Sequence, residues 1–342
     1  MYSDSDLEGA VAAGAITAEA AAALRAHVAA VHAAPAVDEE HFRLVTGFND
    51  IFVSIAIALL LIAVGQIGGR IQVGMGGALV AAVSWGLAEY FTARRRMALP
   101  SIVLLLTFIG GIAGALGGAI LPLRPQWGES AQALVAGGIA LVCAVGAWLH
   151  WRRFHVPITV AAGAASLVGV VVALVLAAIP AAKDAVWPLL LIAGVAVFAL
   201  AMRWDLSDPE RRSRRADVAF WLHLVAAPLI AHPVFQMLGV FGGDVTLATA
   251  LVVLALYLAF AFVALAVDRR ALLVSSLAYV LYAMYALFRS AGAVELSAAF
   301  TALVIGSALL TLSAFWQPMR RLVVGTLGGA ALRLPPVGRA LA

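Results

Sequence analysis

RWDLSDPERRSRRADVAFWLHLVAAPLIAHPVFQMLGVFGG, residues 203–243, sets a strongly basic segment directly against a long apolar one. The basic part carries Arg203, Arg211, Arg212, Arg214 and Arg215, and the apolar part carries His223, Pro228, His232, Pro233 and Gln236. About 20 apolar residues in a helix cross roughly 30 Å of hydrocarbon, and arginine-rich loops stay on the cytoplasmic side. The stretch therefore predicts a transmembrane helix entered from a cytoplasmic loop, and it sets the reading of everything around it.

The whole chain has the same character. Of its 342 residues 64% are hydrophobic and 12% charged, with a mean hydropathy of +1.03; a soluble domain is about a quarter charged. A soluble fold is excluded. The net charge of +4 resides in short loops between apolar runs, so it signals topology and no nucleic-acid partner is expected. A single cysteine, Cys143, leaves no intrachain disulfide and no cysteine-based metal site. The single lysine, Lys183, argues against a retinal-type Schiff base, and no cofactor is expected. The preference for arginine, with the richness in alanine and glycine, points to a bacterial chain in the inner membrane. The first apolar run begins near residue 48, too late for a secretory signal peptide.

Ten apolar runs are long enough to span, at 49–69, 71–91, 100–121, 131–150, 156–179, 185–203, 217–238, 246–267, 271–288 and 296–316. Assigning alternate loops to opposite sides puts 18 of the 22 basic residues on one face and leaves Arg70, Arg124, Lys183 and Arg289 on the other. The expected architecture is an all-α bundle of ten spans with both termini cytoplasmic. It divides into a helical hairpin and linker at 1–37, an interfacial amphipathic helix at 38–48, the membrane domain at 49–316 and a basic tail at 317–342. Arginine pairs recur at 94/95, 152/153, 211/212 and 269/270, a period near 58 that fits a tandem two-helix repeat; evenly sized hairpins would also produce it.

In the N-terminal segment Gly14 ends one short helix and Thr17 caps the next. The stretch AAGAITAEAAAALR, with Gly14, Ile16, Thr17 and Ala21 in a G-x-I-[ST]-x-x-x-A pattern, resembles a family of uncharacterised bacterial polytopic membrane proteins. That resemblance covers residues 5 to about 70. It implies a cytoplasmic hairpin ahead of eight or more membrane helices, and it carries no activity and no functional residues.

Polar groups inside the spans are the candidate chemistry, because ionisable residues at depth face protein or water. His232, Pro228, Pro233 and Gln236 on the seventh span, with Tyr279, Tyr282 and Tyr285 on the ninth, form a candidate cavity or gate. The prolines free the carbonyls of Leu224 and Leu229 and predict a kink. The alternative is aromatic and kinked-helix packing with each polar group satisfied by a neighbour. His223, nine residues from His232, faces the other way and reads as a packing histidine. Glu89, Asp217 and Asp268 read as interfacial ion-pair partners of nearby arginines. Gly110, Gly114 and Gly118 form a small-residue packing row, which serves helix association within the chain or across a homo-oligomer.

Enzyme signatures are weak: FGGD at 241–244 lacks the leading glycine of an intramembrane aspartyl protease motif, and Ser166 is on no nucleophile elbow. No metal site is expected, and the basic loop LHWRRFHVP, 149–157, suits lipid phosphates. Two functions remain. One is a secondary transporter or permease for a small molecule. The other is a membrane scaffold or sensor that recruits a cytoplasmic protein partner through the N-terminal hairpin and basic loops. Membrane lipids are partners on either reading.

Overall fold

The structure is a computed structural model that describes residues 4–31, 48–120, 122, 127–208, 213–239, 246–290 and 296–328. Among these residues the fold is all-helical, 89% helix with no strand. Hydrocarbon offers no hydrogen bonds, so a spanning backbone must satisfy its own groups, and helices do so residue by residue.

The chain divides into two compact units, Met1–Phe42 and Arg43–Ala342. The first is a hairpin of α1, Asp4–Ala12, and α2, Ala18–Val31. Gly14 turns it at φ +70°, and the Thr17 hydroxyl caps α2 by accepting from the Ala20 amide at 3.1 Å. The expected interfacial helix at 38–48 falls almost wholly outside the described residues.

The second unit contains α3 Phe48–Ile71, α4 Met75–Ala88, α5 Ala98–Ile120, α6 Glu129–Phe154, α7 Ile158–Ala178, α8 Val186–Leu206 and α9 Arg214–Met237. It continues with α10 Leu247–Val267, α11 Ala271–Ser290, α12 Ser297–Ala314 and α13 Trp316–Thr326. Eight of these helices are long and apolar enough to cross a membrane: α3, α5 to α10, and α12. Large apolar side chains such as Phe52, Leu59, Ile192 and Leu310 project outward from them. In water such a surface would drive aggregation, whereas in a bilayer it meets lipid. The chain is a polytopic integral membrane protein. Of the two remaining expected spans, α4 runs into a wider π-turn at Glu89–Arg94, and the apolar part of α11 covers Ser276–Ala286.

Neighbouring helices pack as antiparallel hairpins, α4 with α5, α6 with α7, α8 with α9 and α10 with α11. Each of these hairpins carries arginines in its connection or, for α6–α7, in the last turn before it. Three connections are short because one residue in each takes the left-handed conformation: Arg96 at φ 52°, His155 at 54° and Asp268 at 60°. In that conformation the backbone amide reaches back to the last helical carbonyls, as His155 does to Trp151 at 3.0 Å. The α8–α9 connection is longer. The Asp208 carboxylate at one end of it accepts from both the Ser213 amide (2.8 Å) and hydroxyl (2.7 Å) at the other, and Ser213 in turn caps α9.

Helix α9 is the centre of the second unit. More than half of its apolar window, 56%, is buried, against 11–33% for the other seven candidate spans, and it packs against α7, α8 and α11. The α4–α5 contact is a close helix crossing, backbone against backbone. A methyl placed on Gly77 would lie 2.3 Å from the Ala115 nitrogen, and one on Gly111 would lie 2.7 Å from the Ala81 nitrogen. Of the expected packing row, Gly118 abuts Gly74, Gly114 is at ordinary contact distance from Gly77, and Gly110 has open space around its Cα. Close contact thus repeats at i, i+7 from Gly111 to Gly118, one residue round from the i, i+4 row. Beyond α12 the expected basic tail begins as α13, which packs against α10 and α12.

Candidate functional site

Polar groups within the helical bundle gather in two layers along α9. The first surrounds His232. Its Nδ1 lies 2.6 Å from the Tyr279 hydroxyl on α11, and its Nε2 lies 3.4 Å from the Gln236 amide nitrogen one turn on. The Trp187 ring of α8 stands edge-on to the imidazole, and Phe235 stacks on Tyr279 with centroids 4.4 Å apart. His232 is fifteen residues beyond Asp217, roughly 22 Å along the axis. This layer therefore lies past the middle of a roughly 30 Å span, away from the arginines.

Three of the expected cavity residues take other positions. Tyr282 and Tyr285 point outward, 40% and 38% exposed, while Tyr279 turns in. Each three-residue step rotates a side chain by 60°, so two steps carry Tyr285 about 120° from Tyr279, too far to share its face. The prolines do not break α9, which runs unbroken from Arg214 to Met237; Pro228 is exposed and Pro233 is buried. The Leu229 carbonyl, freed by Pro233 four residues on, faces the backbone of α8. Gly194 of α8 lies against it, so closely that a methyl there would sit 2.8 Å from the carbonyl oxygen.

The second layer lies toward the arginine-rich loops. Arg269 donates to both carboxylate oxygens of Asp205, Nη2 to Oδ1 at 2.6 Å and Nε to Oδ2 at 3.1 Å, and its Nη2 also reaches the Ala216 carbonyl at 3.3 Å. Both side chains are buried, and His223 Nε2 sits 3.5 Å from Asp205 Oδ2. Next to this group the Asp268 carboxylate accepts from the Trp316 indole at 2.8 Å and lies 3.5 Å from Arg320 Nε, while Arg270 covers the Trp316 ring. Arg320 is fully buried, so the start of the expected basic tail is part of the interior.

Sequence reasoning missed Asp205. It lies two residues past Arg203, inside the basic segment, and looks like an interfacial group. One signal was available. Glu89 pairs with Arg153, Nη2 to Oε2 at 2.5 Å, and Asp205 with Arg269; each pair spans 64 residues, and the second lies 116 residues after the first. Glu89 thus takes its partner from the next hairpin and not from Arg94–Arg96, where Arg95 is instead bonded to the Tyr90 hydroxyl at 3.0 Å.

His150 is also fully buried, among the Trp85, Phe108 and Phe154 rings, with Nδ1 3.2 Å from the Thr159 hydroxyl. It cannot reach a lipid phosphate from there; His155, at the turn, is exposed. Among the described residues no group of three or more histidine, cysteine, aspartate or glutamate side chains could hold a metal ion. FGGD at 241–244 lies outside the described residues. Comparison with known proteins finds no matching family model, no similar curated protein and no similar solved structure.

Proposed function

We propose that this chain is a small-molecule permease of ten spans in a bacterial inner membrane, with its arginine-rich loops in the cytoplasm. The observation that carries the reading is the pair of polar layers on α9. His223, Asp205 and Arg269 lie near one leaflet boundary, and His232, Tyr279 and Gln236 lie toward the other, nine residues or about 14 Å apart. Between them stand the small buried side chains Ala226, Ala227 and Ala231. Polar gates bracketing a narrow apolar section suit alternating access, and ionisable groups at depth are costly unless they have such a role.

The ten-span count is supported by α4 with its π-turn, which together cover Met75–Arg94, and by α11, which covers twenty residues. The recurrence of the carboxylate–arginine pair after 116 residues, two periods of 58, supports a tandem repeat of hairpins that keep one orientation. Because Cys143 is buried, a cysteine introduced at Ser213 is the accessible thiol to follow among the described residues. It should react with a membrane-impermeant maleimide only after cells are opened, and labelling in intact cells would overturn the orientation.

Transport is tested by screening small polar metabolites for thermal stabilisation of the purified chain. A ligand that stabilises the parent is expected to give no stabilisation of His232→Ala. A variant that responds like the parent places the pathway elsewhere. The separate N-terminal unit favours a second reading, a scaffold that recruits a cytoplasmic partner through the hairpin.

A further inference from the structure

We infer that the face formed by α6, α7 and α8 is a binding site for one anionic phospholipid of the arginine-side leaflet. A groove of about 510 Å³ runs between these helices, within the range of roughly 300–1,000 Å³ typical of ligand sites. Its lining is almost wholly apolar. Trp148, Trp151 and Trp204 stand at its loop end, and Leu141 and Leu167 stand at its deep end. From Trp151 to Leu141 is ten residues, about 15 Å of helix, which is half the hydrocarbon thickness and the depth that one leaflet's acyl chains occupy.

A second pocket of about 420 Å³ adjoins the groove, and Leu200 and Trp204 line both. Arg203, Ser207 and Arg215 complete that second pocket. Both arginines are exposed, and neither has an ion-pair partner among the described residues. Two of the nearby described acids are engaged elsewhere: Asp205 is buried on Arg269, and Asp208 accepts from Ser213. A third guanidinium, Arg152, lies over the Trp148 ring at 5.0 Å at the loop end of the groove. Two unpaired guanidiniums above a one-leaflet apolar channel match a lipid phosphate above its acyl chains, and tryptophans belong at that level. The site is independent of the permease reading, since it uses no residue of the α9 layers.

The test is retention of lipid by the full-length chain in dodecyl maltoside, titrated with phosphatidylglycerol or phosphatidylcholine and followed by native mass spectrometry. Phosphatidylglycerol is expected to bind at a concentration roughly tenfold lower, because each basic residue near a lipid phosphate adds a factor of several to affinity. The double variant Arg203→Gln/Arg215→Gln should lose that preference, and Gly163→Leu, which fills the groove beside Ala147, should weaken binding of both lipids. Arg70→Gln should bind as the parent does. Equal retention of the two lipids by the parent, a preference that survives in the double arginine variant, or full binding by Gly163→Leu each overturns the site. If free glycerol phosphate displaces phosphatidylglycerol at equal concentration, the site is for the phosphate alone and the lipid assignment fails.

Discussion

Arg269→Met should lower the stability of the folded chain by about 3–5 kcal/mol, read as an earlier loss of monodisperse protein on heating in detergent. The guanidinium supplies two hydrogen bonds to a carboxylate with no solvent contact, plus one to the Ala216 carbonyl. Removing it leaves Asp205 as a buried anion with its principal cation gone, and His223 at 3.5 Å can replace only part of that interaction. The double variant Asp205→Leu/Arg269→Met removes the stranded charge and should recover most of the loss, since a buried ion pair often contributes little beyond a well-packed apolar pair. The pair Glu89–Arg153 is the internal control. Its side chains are 37% and 54% exposed, and Arg153→Met should cost under about 1 kcal/mol. Equal losses at Arg269 and Arg153 would mean that burial does not decide the matter, and the inner layer would not be the closed polar cluster described.

Gly77→Ala should be at least as damaging, through a different mechanism. The added methyl would meet the Ala115 nitrogen at 2.3 Å, the Gly114 carbonyl carbon at 2.6 Å and the Gly111 oxygen at 2.7 Å. All three are backbone atoms, so no side chain can turn away and α4 must separate from α5. Overpacking that rotamers can absorb costs about 1–3 kcal/mol, and this substitution should exceed that range because it opens a long stretch of helix contact. Gly110→Ala, on the facing helix α5 with nothing within 4 Å of the added methyl, should behave as the parent. If the two variants survive heating equally, the backbone contact between α4 and α5 is looser than described.

The chain's class was legible in its composition, since no soluble core needs this much apolar length, and the helix boundaries follow closely from where charge interrupts it. Which polar residues meet was less legible. A helix of known sequence still has a free rotation about its axis, and Tyr285 shows how a stripe of threes drifts until it faces lipid. The register of the glycine row was hidden for a related reason. Gly110, Gly111, Gly114 and Gly118 offer two overlapping rows, and only the tilt of α4 across α5 selects the one that makes contact. Asp205 was concealed because charge position along a sequence says which end of a helix a group occupies, and not whether another helix covers it.

The contact between Gly194 and the Leu229 carbonyl decides which parts can slide. Gly194 offers that carbonyl a packed Cα and no hydrogen bond, but backbone lying against backbone leaves no side chain to turn aside, so α8 and α9 resist sliding at this level. Toward α11 the same helix is held at His232 by the Tyr279 hydroxyl, a contact between two side chains that rotamers can release.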